Sequence, residues 1–367
     1  MIDFEALAAR AKAGDAAALQ QLRACGYFEA LKAEKDGVPL VFSQRGLWAL
    51  HNIDAGGTGA YNITGAFRMR GRLDCALLEG AGRRLVERHE ALRSRFGVRD
   101  GQPRQFIQLK ADISLNLHDA AGFVSDEAGL REAVRQAAAL PFDLGQAPLF
   151  RMHLFRVAAN DNILLLAMHH IVGDGWSVGL LARELCLIYE SLAAGKEPEL
   201  PPPGSWRTYA QSQSQALAAP GFAAVREHWR GLYASIPEPI HIPADRIRPA
   251  TQSYQGACLS VPVPKAAEEA FESLMKVSQA GLFTVLETSV RALMHRYTGQ
   301  EDIVTTFPLA GRDRPEDERA AGMFMRTLPL RYQASGGAPF REWLVAGREA
   351  LFTAFDQQPY SLDMVLE

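Results

Sequence analysis

One stretch constrains this chain more than any other, because it joins a buried strand to a long helix through two adjacent histidines. The uninterrupted apolar run at residues 163–168 predicts a buried β-strand. His169 and His170 follow it, and then the letters IVGDGWS. Apolar residues recur at helical spacing from Val178 to Leu192, so we expect a helix directly after the turn.

The geometry of a strand separates the roles of the two histidines. Successive side chains point to opposite faces, so one imidazole of His169 and His170 can face a cavity while the other packs. Asp174 lies where its carboxylate can fold back and brace the turn, and Gly175 allows close approach of the backbone. A purely structural histidine pair is the plainer alternative. We expect no metal, because no cysteine or further histidine lies nearby in the sequence to complete a ligand shell.

Composition excludes several classes of partner. The chain has 367 residues, a formal net charge of -3, 48% hydrophobic and 22% charged residues, which is typical of a globular protein. Such a charge balance provides no basic field for nucleic acid. The 4 cysteines are far apart and lack metal-type spacing, so we expect a reducing, cytoplasmic location. Neither a signal peptide nor a run long enough to cross a membrane is evident, so no membrane partner is expected.

The nine-residue stretch resembles the His-His-x-x-x-Asp-Gly signature of condensation domains in nonribosomal peptide synthetases. Its core, from His170 to Gly175, is shared with the chloramphenicol acetyltransferase superfamily, and Trp176-Ser177 is similar to condensation domains rather than their epimerising relatives. Further stretches resemble motifs of the same family in the same order: 42–50, 88–96, 308–312, 322–331 and 358–362. The resemblance spans residues 39–367 and departs at Arg326, where the family usually has Asn. We expect this change to alter the lining of the substrate channel.

The resemblance implies an α/β (α+β) fold with two chloramphenicol acetyltransferase-like lobes, each a sheet flanked by helices, arranged as a V around a tunnel. We predict an N-terminal helical segment at 1–37, an N-terminal lobe at 38–197 and a C-terminal lobe at 198–367, with the proline-rich stretch 197–204 as the boundary. Family domains continue beyond the equivalent of residue 367, so the second lobe is expected to be incomplete.

Local patterns add two expectations. Residues 1–36 carry apolar stripes broken by glycine, which predicts two short helices. Either they pack as an appendage or they dock another polypeptide, and the sequence leaves both open. In the second lobe, a strand is expected to begin at Ser253 to Gly256.

The resemblance also implies an enzyme, an acyltransferase that forms amide bonds. His170 would act as a base on the attacking amine or orient it, and the backbone N–H of Gly175 would help to stabilise the oxyanion. A buried carboxylate needs a charged partner, and the resemblance implies that Arg93 pairs with Asp174. Five residues are expected to support the site: His169, Asp174, Arg93, Trp176 and Ser177.

Substrates and partners follow from the same resemblance. The chain would bind no cofactor directly, because a donor and an acceptor peptidyl carrier protein would deliver both substrates on phosphopantetheine arms. An adenylation domain is a further expected neighbour, and we expect a monomer. Two alternatives stay open. One is a stand-alone acyltransferase that uses an acyl thioester and a free alcohol or amine, and the other is a catalytically idle carrier-binding module.

Overall fold

The computed structural model describes residues 4–53, 59–247, 249, 254, 256–333, 335–358, 360 and 362–365. Contacts divide the chain into two units. Unit 1 comprises Met1–Ala216 and Ala310–Met325, and unit 2 comprises Leu217–Leu309 and Arg326–Glu367. Residues 310–325 thus belong with the first half of the chain, although they come from the second half of the sequence. The predicted boundaries at 37/38 and 197/198 stay predictions.

The described part of the first 36 residues forms three helices where the sequence predicted two. They are α1 (Phe4–Lys12), α2 (Ala16–Ala24) and α3 (Tyr27–Asp36). The carboxylate of Asp15 caps α2 by accepting the N–H of Ala18 at 3.0 Å. Gly26 adopts a φ of 70°, which glycine tolerates and which separates α2 from α3. The glycines at positions 14 and 26 each follow the end of a helix, α1 and α2 respectively.

The rest of unit 1 alternates helices and strands. In order they are β1 (Val38–Pro39), α4 (Phe42–Ile53), β2 (Asn62–Arg70), α5 (Cys75–Arg88), β3 (Ser94–Arg99), β4 (Gln102–Ile107), β5 (Leu115–Asp119), α6 (Glu127–Ala138), β6 (Phe150–Ala158), β7 (Asp161–His169), α7 (Gly175–Ala193) and α8 (Trp206–Ala218). Among the described residues of unit 1 there are two sheets, ordered β1-β4-β3 and β2-β7-β6-β5. Only the pairing of β5 with β6 is parallel within them.

The apolar run predicted as a strand is the interior strand β7. It pairs antiparallel with β2 on one side and with β6 on the other. Leu164 and Leu166 face the main core of the unit, whereas Leu165 faces a smaller cluster under α6. Because both faces of β7 are covered, its sequence lacks the polar alternation of a half-exposed strand. Because β7 is held by strands on both sides, His169 at its end and His170 directly after it have fixed positions.

Unit 2 contains helices and one described pair of strands. Its elements are α9 (Phe222–Leu232), α10 (Lys265–Ser278), α11 (Leu282–Thr298), β8 (Asp302–Leu309), β9 (Arg326–Gln333), α12 (Phe340–Asp356) and α13 (Leu362–Val365). β8 and β9 are antiparallel. The strand expected from Ser253 is not found where the chain is described: residues 256–264 belong to no helix or strand, and Ser253 and Gln255 lie outside the described residues.

The predicted α/β class is confirmed, since each unit contains a sheet with helices packed against it. In the part of the chain that the structure describes, no helix combines the length and the apolar character needed to cross a membrane.

Candidate active site

The two histidines differ in exposure, although β7 ends at His169 and His170 lies in the turn that follows. His169 ends β7 and is only 3% exposed, with its ring edge-on to His51 and 6.5 Å from the ring centre of Tyr61. Its Nδ1 accepts the N–H of Ile171 at 3.1 Å. Burial lowers the pKa of His169 to about 3, with His51 and His170 adding to the effect. His169 is therefore a neutral packing residue.

His170 is half-buried and begins the single 3₁₀ turn His170–Val172 that follows β7. Its Nδ1 lies 2.9 Å from the carbonyl oxygen of Gly173. Since a carbonyl oxygen can only accept, the proton of the neutral ring must sit on Nδ1. The turn thus selects one tautomer, in which Nε2 carries a lone pair that can accept a proton.

Asp174 is the N-cap of α7 and is buried. Its Oδ1 accepts the N–H of Ser177 at 2.9 Å and the hydroxyl of Ser177 at 2.8 Å, and Ser177 Oγ in turn accepts the N–H of Asp174, so the two residues form a capping box. Its Oδ2 accepts the N–H of Phe324 at 3.2 Å. The carboxylate is thus fixed by backbone donors as well as by a cation.

That cation is Arg312, and the predicted pairing of Asp174 with Arg93 is wrong. Arg312 donates from Nη1 to Asp174 Oδ2 at 2.7 Å and from Nη2 to Oδ1 at 3.1 Å. The two side chains are 2% and 3% exposed. The planar guanidinium also lies over the ring of Phe324, at 4.2 Å from its centre. A two-pronged, buried pair of this kind is what an ionised carboxylate away from water requires.

Arg93 is engaged elsewhere. It ends the 3₁₀ turn Glu90–Arg93, and its Nη1 donates to the carbonyl oxygens of Gln108 and Leu109. Burial lowers the pKa of Arg93. Its guanidinium therefore holds the end of β4 to the start of β3, which is a role in the fold of unit 1 rather than in the turn that carries Asp174.

Residues 310–325 supply the partners of the turn. Ser177 Oγ accepts the N–H of Gly322 at 3.2 Å, and the indole of Trp176 donates to the carbonyl oxygen of Glu318 at 3.1 Å. Trp176 itself is 48% exposed. Both predicted supporting residues thus contact this segment, and the segment brings Arg312 and the Phe324 N–H to Asp174.

Gly175 is the first residue of α7 and is exposed, with open space where a side chain would be. The first N–H groups of a helix have no partner within the helix and lie at the positive end of its dipole. α7 begins beside the histidine turn, and Asp174 already accepts the N–H of its third residue, Ser177. This arrangement suits a developing negative charge.

Two arginines of the matched motifs, Arg312 and Arg326, are not among the predicted catalytic or supporting residues. The motif at 308–312 was recognised, but nothing in its spacing indicated that Arg312 reaches Asp174 across 138 positions. Arg326, the departure from the family pattern, begins β9 in unit 2. It is 8% exposed and donates to the carbonyl oxygen of Gln358 at 3.4 Å. The predicted effect on a channel lining stays a prediction.

Comparisons with known proteins agree on one family. The model of the condensation domain family matches residues 34–366. A linear gramicidin synthase protein of Brevibacillus parabrevis is 37% identical over 337 residues, which are 90% of this chain and 6% of that protein. Bacitracin synthase 2 of Bacillus licheniformis is 33% identical over 338 residues, 92% of this chain and 12% of that protein. This chain therefore spans a small part of the length of these relatives.

Solved structures show the same fold. The first condensation domain of the CDA synthetase superposes with a TM-score of 0.71 at 23% identity, covering 89% of this chain and 77% of that one. The match to the family model over residues 34–366 includes the turn from His169 to Ser177. The chain belongs to the condensation domain family, the amide-forming acyltransferases of nonribosomal peptide synthetases.

Proposed function

We propose that this domain joins an acyl or peptidyl thioester on one carrier protein to the amine of an aminoacyl thioester on a second carrier. The observation that carries the proposal is the tautomer of His170: its Nδ1–H is held by Gly173 O at 2.9 Å, which leaves Nε2 as a hydrogen-bond acceptor. An amine that attacks a thioester needs such an acceptor at the reacting nitrogen.

The reaction balances without a bound cofactor. The amine nitrogen attacks the thioester carbon, and the carbonyl oxygen takes up negative charge. His170 Nε2 accepts one proton from the nitrogen, the C–S bond breaks, and the proton passes to the departing thiolate of the donor arm. The new amide stays on the acceptor thioester. Positioning of both reactants contributes much of the acceleration, since neighbouring groups held in place react as if at very high concentration.

Other residues of the turn have distinct roles in this proposal. Gly175 is the first residue of α7 and has open space where a side chain would be, and its N–H would donate to the oxyanion. Asp174 and Arg312 are not placed as acid or base. Their 2.7 Å contact fixes the start of α7 relative to residues 310–325, so that the Gly175 N–H and His170 keep their relative positions.

The partners follow from the proposal. Phosphopantetheine arms of a donor and an acceptor carrier protein would bring the substrates, and an adenylation domain would supply the aminoacyl group. We propose that the domain works as a monomer in the cytoplasm. The relatives that support this context are much longer than this chain, which spans 6% of one and 12% of the other.

Substitution of His170 tests the proposal. With both carriers loaded, His170→Ala is expected to lower the rate of amide formation by roughly 10²–10⁴-fold, the usual contribution of one general base. Far-UV circular dichroism and the melting temperature should match the parent, since His170 is half-buried and makes one hydrogen bond to its own turn. A folded variant that works at the parent rate would remove His170 from the chemistry.

A further inference from the structure

A buried side-chain amide contacts the histidine turn from outside it. Gln44, in α4, is 0% exposed. Its Nε2 donates to the carbonyl oxygen of Ile171 at 2.8 Å, directly after His170. Its Oε1 accepts the N–H of Val41 at 3.2 Å, so the orientation of the amide is fixed by both of its ends.

The second proton of Gln44 Nε2 ties it to another buried amide. It donates to Gln105 Oε1 at 3.1 Å, and the same oxygen accepts the indole N–H of Trp206 at 2.8 Å. Gln105 Nε2 donates to Ser94 Oγ at 2.7 Å. Gln105 and Ser94 are 0% exposed and Trp206 is 1% exposed. Because the indole N–H of Trp206 can only donate, Gln105 Oε1 must be the acceptor, and Gln44 Nε2 is then the donor to the same oxygen.

The same group reaches the second side of the site. Trp206 packs edge-on against Phe324 with ring centres 5.0 Å apart, and Phe324 N–H donates to Asp174. A side chain at Gly322 would meet the Trp206 ring at 2.0 Å, so Trp206 also sets how closely residues 322–324 approach α7. One buried network therefore contacts both the turn that carries His170 and the segment that holds Asp174.

We propose that Gln44 is a positioning residue for His170. By holding the Ile171 carbonyl, Gln44 fixes the peptide plane between Ile171 and Val172, which lies in the short turn from His170 to Gly173 O. Loss of this anchor would let the turn rotate, weaken the Nδ1–H bond and populate the other tautomer, in which Nε2 carries the proton and cannot accept one. The inference rests on the proposed function for its catalytic consequence, but its geometric content is independent of it.

The chain provides a matched control for Gln44. Gln213 is a partly buried amide that likewise anchors the start of α4, since its Oε1 accepts the N–H of Phe42 at 3.1 Å. Its Nε2 donates to the hydroxyl of Tyr209 at 3.4 Å. Gln44 accepts the N–H of Val41, the residue before Phe42, and also donates to the histidine turn. Methionine has nearly the volume of glutamine without its donors or acceptor, so Gln44→Met and Gln213→Met both release α4, and only the first releases Ile171 O.

The first readout needs no turnover. Imidazole ¹⁵N spectra of the full chain report the tautomer of each histidine, and loss of a signal in His170→Ala assigns His170. The parent is expected to show the Nδ1–H form, Gln213→Met the same form, and Gln44→Met a shift of both His170 nitrogens toward the Nε2–H form. Unchanged His170 nitrogens in a folded Gln44→Met would overturn the proposal, whatever its effect on stability.

The second readout is amide formation with loaded carriers. Gln44→Met is expected to lower kcat by roughly 10- to 100-fold with little change in KM, because misplacement of a reacting group affects the chemical step. Gln213→Met should keep the parent kcat below its melting temperature, and equal kcat losses in the two variants would contradict the proposal. If Gln44→Met does not fold, Trp206→Phe removes one donor from Gln105 at the far end of the network. It should lower kcat several-fold, and a parent kcat would then refute the network. An inactive parent would count against the proposed function, while the ¹⁵N result still decides the role of Gln44.

Discussion

At the scale of single residues, Asp174 pairs with Arg312 and not with Arg93, the partner predicted from the sequence. Both Arg93 and Arg312 lie in matched motifs, and only the fold decides between them. Removing one partner of a buried ion pair leaves an uncompensated charge, which typically costs about 3–5 kcal/mol. We therefore expect Asp174→Ala to lower the free energy of unfolding by that amount, measured by chemical denaturation.

A double-mutant cycle separates the two arginines. Asp174→Ala and Arg312→Ala should couple strongly, because their side chains meet at 2.7 Å. Asp174→Ala and Arg93→Ala should give additive losses, since Arg93 bonds Gln108 and Leu109 carbonyls instead. Coupling of Asp174 to Arg93 with additivity toward Arg312 would contradict the observed geometry.

His169 makes a prediction about pH. Its pKa falls from 6.5 to about 3 on folding, mainly because burial disfavours the charged ring. Between these two values the unfolded chain binds a proton that the folded chain does not. The contribution of neutral His169 to the free energy of unfolding is therefore fully present above about pH 6.5. It falls as the pH drops, by about 1.4 kcal/mol per pH unit for one such group.

The variant His169→Phe removes this titration. Its free energy of unfolding should depend less steeply on pH between 6 and 4 than that of the parent, as followed by urea denaturation at each pH. His153, whose pKa is lowered to about 4 by burial, titrates in both proteins and therefore leaves a residual slope. Identical slopes in the two proteins would show that His169 is not a buried neutral group.

At the scale of elements, the segment 310–325 depends on a glycine. A side chain at Gly322 would meet the Trp206 ring at 2.0 Å, whereas one at Gly179 in α7 would meet open space. Gly322→Ala should force the segment away from α7 and destabilise the protein by roughly 1–3 kcal/mol, as overpacking usually does. Gly179→Ala should be neutral or stabilising by up to about 1 kcal/mol, because alanine favours a helix. Thermal unfolding of both variants tests the difference, and equal shifts in melting temperature would contradict the close packing of Gly322 against Trp206.

The sequence predicted the elements whose signals are local. The apolar run before His169 and the helical spacing after Gly175 correspond to β7 and α7. Both elements were predictable because their apolar patterns and the helix cap lie within a few neighbouring residues. It missed partners that fold back from far along the chain. Arg312 is 138 residues from Asp174, and Gln44 is 127 residues from Ile171, distances at which spacing carries no information.

At the scale of the whole molecule, the two units differ in how completely their apolar faces are covered. The main core of unit 1 includes residues from most of its elements and from residues 320–324. In unit 2, the helix α11 exposes Leu286, Val290 and Leu293 by 42%, 47% and 56%. A face left in water contributes little to stability, so unit 2 should open at a lower free energy than unit 1.

Amide hydrogen exchange tests this difference. Strong protection is expected in β7, and faster exchange in α10 and α11. Residues 310–325 should exchange like unit 1, with which they make their contacts, although the sequence boundary at 197/198 would group them with the second lobe. Uniform protection across both units would contradict the expected order of stability.

We propose that this domain transfers an acyl group between two carrier-bound substrates with His170 as the proton acceptor. The most direct measurement is the intact mass of the acceptor carrier after one turnover, with the donor given either on its carrier or as a soluble thioester. The acceptor carrier is expected to gain the donor acyl group from the carrier-bound donor, and His170→Ala is expected to lose this gain in mass. Acylation of a free amine or alcohol from the soluble thioester alone would contradict it, and so would a gain of mass that His170→Ala leaves unchanged.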